Sequence, residues 1–214
     1  MVRVKICGIT NIVDAENALN FGADAIGFVF AKSPRKVSKG AARAIIREMP
    51  PFLTCVGLFV NEEIDKVKAI CDFCNIRTLQ LHGNEDQDYL NHFTEYKTIK
   101  AIRVGTAKDI SVINDLDADA FLLDSMVKGK MGGTGKCFDW EIIRKSRYLK
   151  SKANSQKRII IAGGLTPDNV SEAINVTKPF GVDISSGVES DYGLKDKKLL
   201  RKFISEVKMF PDNS

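Results

Sequence analysis

Eight short apolar runs rich in β-branched residues recur along the chain. They are RVKIC (3–7), AIGFVF (25–30), LTCVGLFV (53–60), IRTLQL (76–81), TIKAIRV (98–104), AFLLD (120–124), RIIIAG (158–163) and FGVDIS (180–185). Between them, IVDAENALNFG, GAARAIIREM, EEIDKVKAICDF, FDWEIIRKSRYL, TPDNVSEAIN and LKDKKLLRKFISEV carry apolar residues three and four apart, which is the spacing of one helix face. AKDISVINDL, between the fifth and sixth runs, is the weakest helix of the set. Strand followed by helix, repeated, specifies a parallel sheet. Eight such units fill the 214 residues. Closing the sheet into a single (β/α)8 TIM barrel, one domain over residues 1–214, uses every strand and leaves no edge. An open doubly wound sheet is the alternative. It would carry G-x-G-x-x-G at the first strand–helix turn, where this chain reads CGIT.

Composition narrows the function classes. The chain is 44% hydrophobic and 28% charged, which suits a globular protein with a real core. No apolar run reaches the roughly 18 residues of a membrane span. The N-terminus MVRVKICGIT lacks the apolar centre of a signal peptide, so the expected location is cytoplasmic. The net charge of +5 is spread over helical faces such as DKKLLRK, and no basic–aromatic interleaving suggests base stacking. Five cysteines, an odd number, argue against a disulfide framework. Cys71-x-x-Cys74 is followed by His82 and His92, but gaps of seven and nine residues do not fit a zinc finger. Both cysteines are expected to be buried small hydrophobes.

GKMGGTGKCFDW (129–140) looks at first like a phosphate cradle for a nucleotide. The P-loop pattern needs a glycine where Lys130 stands and a hydroxyl where Cys137 stands, so it fails at both ends.

In a barrel of this kind the chemistry sits where strands end. Here they end in Cys7, the Lys32–Arg35 loop, Asn61, Gln80-Leu81-His82-Gly83, Arg103, Asp124, Gly163-Gly164, and Asp183 through Ser185-Ser186-Gly187. Loops after strands seven and eight often hold phosphate. IAGGL allows close backbone approach, and SSGVES offers two hydroxyls and a possible helix start that favours an anion. In the first strand, Val2, Val4 and Ile6 alternate with Arg3, Lys5 and Cys7, so Cys7 should face the barrel mouth with Lys5 beneath it. An adjacent ammonium is expected to lower the thiol pKa. Asp124, if buried, is the matching acid.

VKICGIT, GFVF with AKSPRKVS, VGLFVN, LQLHGNE, FLLDS followed by GGTGK-x-FDW, IAGGLTPDNV and GVDISSGVE together resemble the phosphoribosylanthranilate isomerase family of tryptophan biosynthesis, from end to end. The resemblance implies an Amadori rearrangement of an aminoaldose phosphate to an aminoketose. It implies Asp124 as general acid and Cys7 as general base, with Arg35 pairing the anthranilate carboxylate. His82 and Asp183 would line the pocket, and Gly163, Gly164, Ser185, Ser186 and Gly187 would hold the phosphate. It implies no cofactor and no metal. The expected partner is a small phosphosugar, not nucleic acid or membrane, and the expected state is a monomer or homodimer. GKMGGTGK then reads as a loop closing over substrate. Two other phosphosugar barrels fit less well: the histidine-pathway isomerase uses an aspartate pair, and indole-glycerol-phosphate synthase needs a lysine acid.

Overall fold

The computed structural model describes residues 1–125, 140–146 and 157–210. Eight strands pair in parallel in chain order: β1 (Arg3–Cys7), β2 (Ala25–Val29), β3 (Thr54–Phe59), β4 (Thr78–Leu81), β5 (Lys97–Val104), β6 (Ala120–Ser125), β7 (Arg158–Ala162) and β8 (Gly181–Ile184). β8 returns to β1 and closes the barrel. Every strand overlaps the run that announces it. Around them lie α1 (Ile12–Phe21), α2 (Lys39–Glu48), α3 (Ile64–Cys74), α4 (Gln87–Leu90), α5 (Glu141–Lys145), α6 (Val170–Thr177) and α7 (Lys197–Lys208).

Local chemistry sets the helix ends. The Asn11 side chain accepts from Asp14 N to start α1, and Gly22 ends it at φ 98°. Asp196 accepts from the N–H groups of Lys198 and Leu199 and so starts α7 three residues later than the apolar spacing suggests. Leu194 and Lys195 instead form β10 (Leu194–Lys195), antiparallel to β9 (Glu189–Asp191), with Gly193 at φ 75° in the turn. The weak helical segment between β5 and β6 becomes a 3-10 helix, Asp109–Asn114, anchored by buried Ile110 and Ile113.

The period-two alternation of the strands builds two cores. Outward residues such as Val4, Ile6, Phe28, Leu79 and Phe121 meet the helices, where Cys71 and Cys74 are also buried. Each fully buried large side chain contributes about 1.5–3 kcal/mol. Inward residues Val56, Ile99, Ala101, Ala120, Leu122, Ile160 and Ala162 fill the barrel itself. Above them the inward positions turn polar: Lys5, Gln80 and Asp183 are all buried.

Candidate active site

The same alternation carries each strand's last inward residue to one mouth. A cavity of about 260 Å³ opens there. Cys7, Arg35, His82, Asp124 and Asp183 line it, and so do Gly163, Gly164, Ser185, Ser186 and Gly187. The ten residues singled out from the sequence therefore share one cavity. Val29 and Leu58 pack against Cys7 and give it an apolar wall. A second cavity, about 300 Å³, opens at the opposite end. It is walled mainly by Val4, Val56, Ile99, Ile160 and Val182, and its charged rim residues Arg3 and Asp24 are paired at 3.0 Å.

Register explains the floor of this mouth. Lys5 stands opposite Asp183 across β1 and β8, and their charges meet at 2.9 Å. Burial pulls the Lys5 ammonium down, and the Asp183 carboxylate more than restores it, so Lys5 stays charged. Gly27 on β2 makes the space above: a Cβ there would lie 3.0 Å from Lys5 Nζ and 3.1 Å from Cys7 Sγ. Burial pushes the Cys7 thiol up, and Lys5 opposes it only in part because Asp183 acts the other way. This corrects the sequence expectation of a lowered thiol pKa.

His82 stands beside Asp124. Its Nε2 lies 3.1 Å from Asp124 Oδ2, and its Nδ1 lies 2.9 Å from Gln80 Nε2. Asp124 is not buried as expected, since 32% of its side chain remains exposed. Just below, the Lys100 ammonium bonds Glu85 Oε2 and Gly83 O, both at 2.7 Å, while Glu85 Oε1 accepts from Asn61 N at 2.8 Å. This buried pair ties the ends of β3 and β4 to β5. Burial raises the Glu85 carboxyl, and Lys100 with the backbone donors overrides it, so its pKa lies below the ordinary value.

Arg35 reaches over Gly8, where a Cβ would approach Arg35 Cδ to 2.7 Å. Its Nε and Nη2 donate to the two oxygens of Glu189 at 2.7 and 2.6 Å. Lys195, opposite Glu189 in the small hairpin, donates to Glu189 Oε1 at 2.9 Å and to Cys7 O at 2.7 Å. Tyr192 stacks under the guanidinium, 5.5 Å from its centre. Nε and Nη2 of Arg35 are thus held by protein while the residue lines the cavity.

In the loops after β7 and β8, Gly163 and Gly164 take φ of 80° and 66°. A Cβ on Gly187 would sit 1.9 Å from Leu165 O, so only glycine lets the two loops touch. Ser185 Oγ is buried and has no partner among the described residues. Ser186–Val188 forms a single 3-10 turn instead of the helix start expected from the sequence. Anion binding here would rest on backbone N–H groups and hydroxyls, with little from a helix dipole.

Sequence reasoning missed Gly27, Glu189 and Lys195, and placed Gln80 at the end of the fourth strand without giving it a part in the site. A glycine inside a strand is a signal of close approach, and GFVF carried it. The expected closing loop 129–136 and Cys137 lie outside the described residues.

Comparison with known proteins follows the geometry. A family model described as N-(5'-phosphoribosyl)anthranilate (PRA) isomerase matches residues 4–206. The N-(5'-phosphoribosyl)anthranilate isomerase of Citrifermentans bemidjiense is 45% identical over 209 residues, covering 97% of this chain and 98% of its own. The solved phosphoribosyl anthranilate isomerase from Thermotoga maritima superposes with a TM-score of 0.87 at 40% identity, covering 98% of this chain and 100% of its own. A further solved isomerase, in complex with reduced 1-(o-carboxyphenylamino)-1-deoxyribulose 5-phosphate, gives a TM-score of 0.83 at 37% identity, covering 98% of this chain and 100% of its own.

Proposed function

The chain belongs to the N-(5'-phosphoribosyl)anthranilate isomerase family, and from that premise we propose how its residues share the reaction. It is an isomerase of tryptophan biosynthesis. It converts N-(5'-phosphoribosyl)anthranilate to 1-(2-carboxyphenylamino)-1-deoxyribulose 5-phosphate. The observation that carries the residue assignment is the one cavity shared by a thiol, a carboxyl, a guanidinium and two glycine–serine loops.

Asp124 donates its proton to the furanose ring oxygen. The C1'–O bond breaks, and the nitrogen lone pair forms a C1'=N iminium. Cys7, as thiolate, takes the C2' proton. The C2'–H electrons become the C1'=C2' bond, and the iminium pair returns to nitrogen, giving an enolamine. Moving the C2' hydroxyl proton, with protonation of C1', gives the ketone. The cationic iminium beside C2' favours thiolate at the moment it is needed, which offsets the raised pKa of the buried thiol. Nothing is oxidised or reduced overall.

Arg35 pairs the anthranilate carboxylate, since guanidinium and carboxylate are both planar. Val29 and Leu58 hold the ring. Gly163, Gly164, Ser185, Ser186 and Gly187 hold the phosphate, where the unpartnered Ser185 hydroxyl gains an acceptor. His82 and Asp183 line the pocket beside the acid and beneath the base. The partner is a small phosphosugar. One solved relative is described as a dimer separated into monomers, so a monomer or homodimer remains the reading for this chain. Among the described residues no helix is long and apolar enough to cross a membrane, and a cytoplasmic location is part of the proposal. The test is loss of anthranilate fluorescence when the purified protein meets freshly made phosphoribosylanthranilate. Wild-type decay with Asp124→Asn would overturn the acid.

A further inference from the structure

We propose that Gln80 is a positioning residue for this reaction: its buried amide decides which nitrogen of His82 carries the proton, and so keeps the acid proton of Asp124 aimed at substrate.

Gln80 is fully buried and points into the barrel between Leu58 on β3 and Ile99 on β5. Its Nε2 lies 2.9 Å from His82 Nδ1, and His82 Nε2 lies 3.1 Å from Asp124 Oδ2. The three groups form a line that ends on the acid. An amide nitrogen only donates. With the amide nitrogen facing the ring, His82 Nδ1 is the acceptor, and the proton of the neutral ring sits on Nε2 and faces Asp124. Turned by half a rotation, the amide would present Oε1, put the ring proton on Nδ1 and leave a lone pair on Nε2.

The difference matters for proton delivery. A lone pair at Nε2 would accept the Asp124 proton and hold it between the two side chains, away from the sugar. With Nε2 protonated, His82 cannot take that proton. It can instead donate to the carboxylate left after Asp124 protonates the ring oxygen, a charge-assisted bond that is shorter and stronger than a neutral one. Packing alone would not ask for this amide, because Gln80 Oε1 is buried and finds no partner among the described residues. An orphaned buried polar atom is costly, and an apolar side chain of the same shape would avoid the cost.

The proposal rests on Asp124 as the acid, but its first measurement does not. The chain has two histidines, and His92 is exposed, so protein carrying ¹⁵N-histidine gives two ring systems, separable with His92→Gln. Long-range ¹H–¹⁵N correlation at a pH where the rings are neutral should show His82 as the Nε2–H tautomer in the wild type. Gln80→Met keeps the length and removes the donor. It should blur the His82 tautomer, lower kcat by about 10–100-fold as supporting-shell losses do, leave KM little changed, and leave thermal stability equal or higher. Gln80→Glu, which when ionised only accepts, should drive His82 to the Nδ1–H form. An Nδ1–H tautomer in the wild type overturns the proposal, and so does Gln80→Met with wild-type kcat and unchanged His82 signals. Failure of the acid assignment would appear separately, as an active Asp124→Asn enzyme with the His82 tautomer as expected.

Discussion

At the C-terminal mouth the strands end on Cys7, His82, Asp124 and Asp183 around a cavity of about 260 Å³. At the N-terminal mouth the inward residues Val56, Ile99 and Ile160 wall one of about 300 Å³. Volume does not separate the two. What separates them is convergence: the upper cavity gathers a thiol, an imidazole, two carboxyls and a guanidinium from different strands and loops, and the lower gathers mostly hydrocarbon. A barrel strand places both ends with one alternation, so its first inward residues serve packing and its last serve chemistry.

The largest test of that division sets one residue of each end against the other. Cys7→Ser should lower kcat by about 10²–10⁴-fold with little change in stability. Ile160→Ala, in the inner core near the lower cavity, should leave kcat near wild type and cost about 2–5 kcal/mol in urea unfolding. Equal losses of kcat would break the comparison.

Glu85 sharpens it, because it is a stability device at the C-terminal end. Glu85→Ala strands the buried Lys100 ammonium and should cost about 3–5 kcal/mol. Its carboxyl lies below its ordinary value in the folded state. Its contribution is thus present above about pH 4.3 and is lost as pH falls through the folded value. Unfolding curves of wild type and variant should converge in acid. A constant gap would contradict the pairing.

A smaller effect is expected at Arg35. Arg35→Ala should raise KM by the equivalent of about 1.5–3 kcal/mol with a lesser effect on kcat. Steady-state kinetics with both constants unchanged would mean the guanidinium serves only Glu189.

The smallest concerns Cys7 in the free protein. Because burial raises its thiol, alkylation of the Cys7 peptide, followed by mass spectrometry, should keep rising by up to tenfold per pH unit beyond the ordinary thiol midpoint of about 8.5. A plateau below that value would show that Lys5 wins over burial.

The eight barrel strands were legible because each is an apolar, β-branched run set off by turns. That ten named residues line the C-terminal cavity was legible because each ends a strand or opens its loop. What was not legible came from distance. Burial raises the Cys7 thiol, and Lys5, next but one to it, opposes this only in part because it pairs with Asp183, 178 positions away, so the thiol moves up, not down. The β9–β10 hairpin, with strands of three and two residues, is too short to show a period, and its Leu194-Lys195 strand merged with the last helix while Glu189 read as loop. Glu189 and Lys195, the partners of Arg35, were lost with it. Gln80 was visible only as a polar residue in a strand, and its meaning depends on the line it forms with His82 and Asp124.

The most direct test of the division between the two ends is a crystal structure of this protein with reduced 1-(o-carboxyphenylamino)-1-deoxyribulose 5-phosphate. The account predicts density in the C-terminal mouth. The phosphate should lie against Gly164 and Ser186, the carboxylate at Arg35, and ribulose C2 within about 3.5 Å of Cys7 Sγ, a reach suited to proton transfer. Ligand seated in the N-terminal cavity, or bound above with C2 turned away from Cys7, would contradict it.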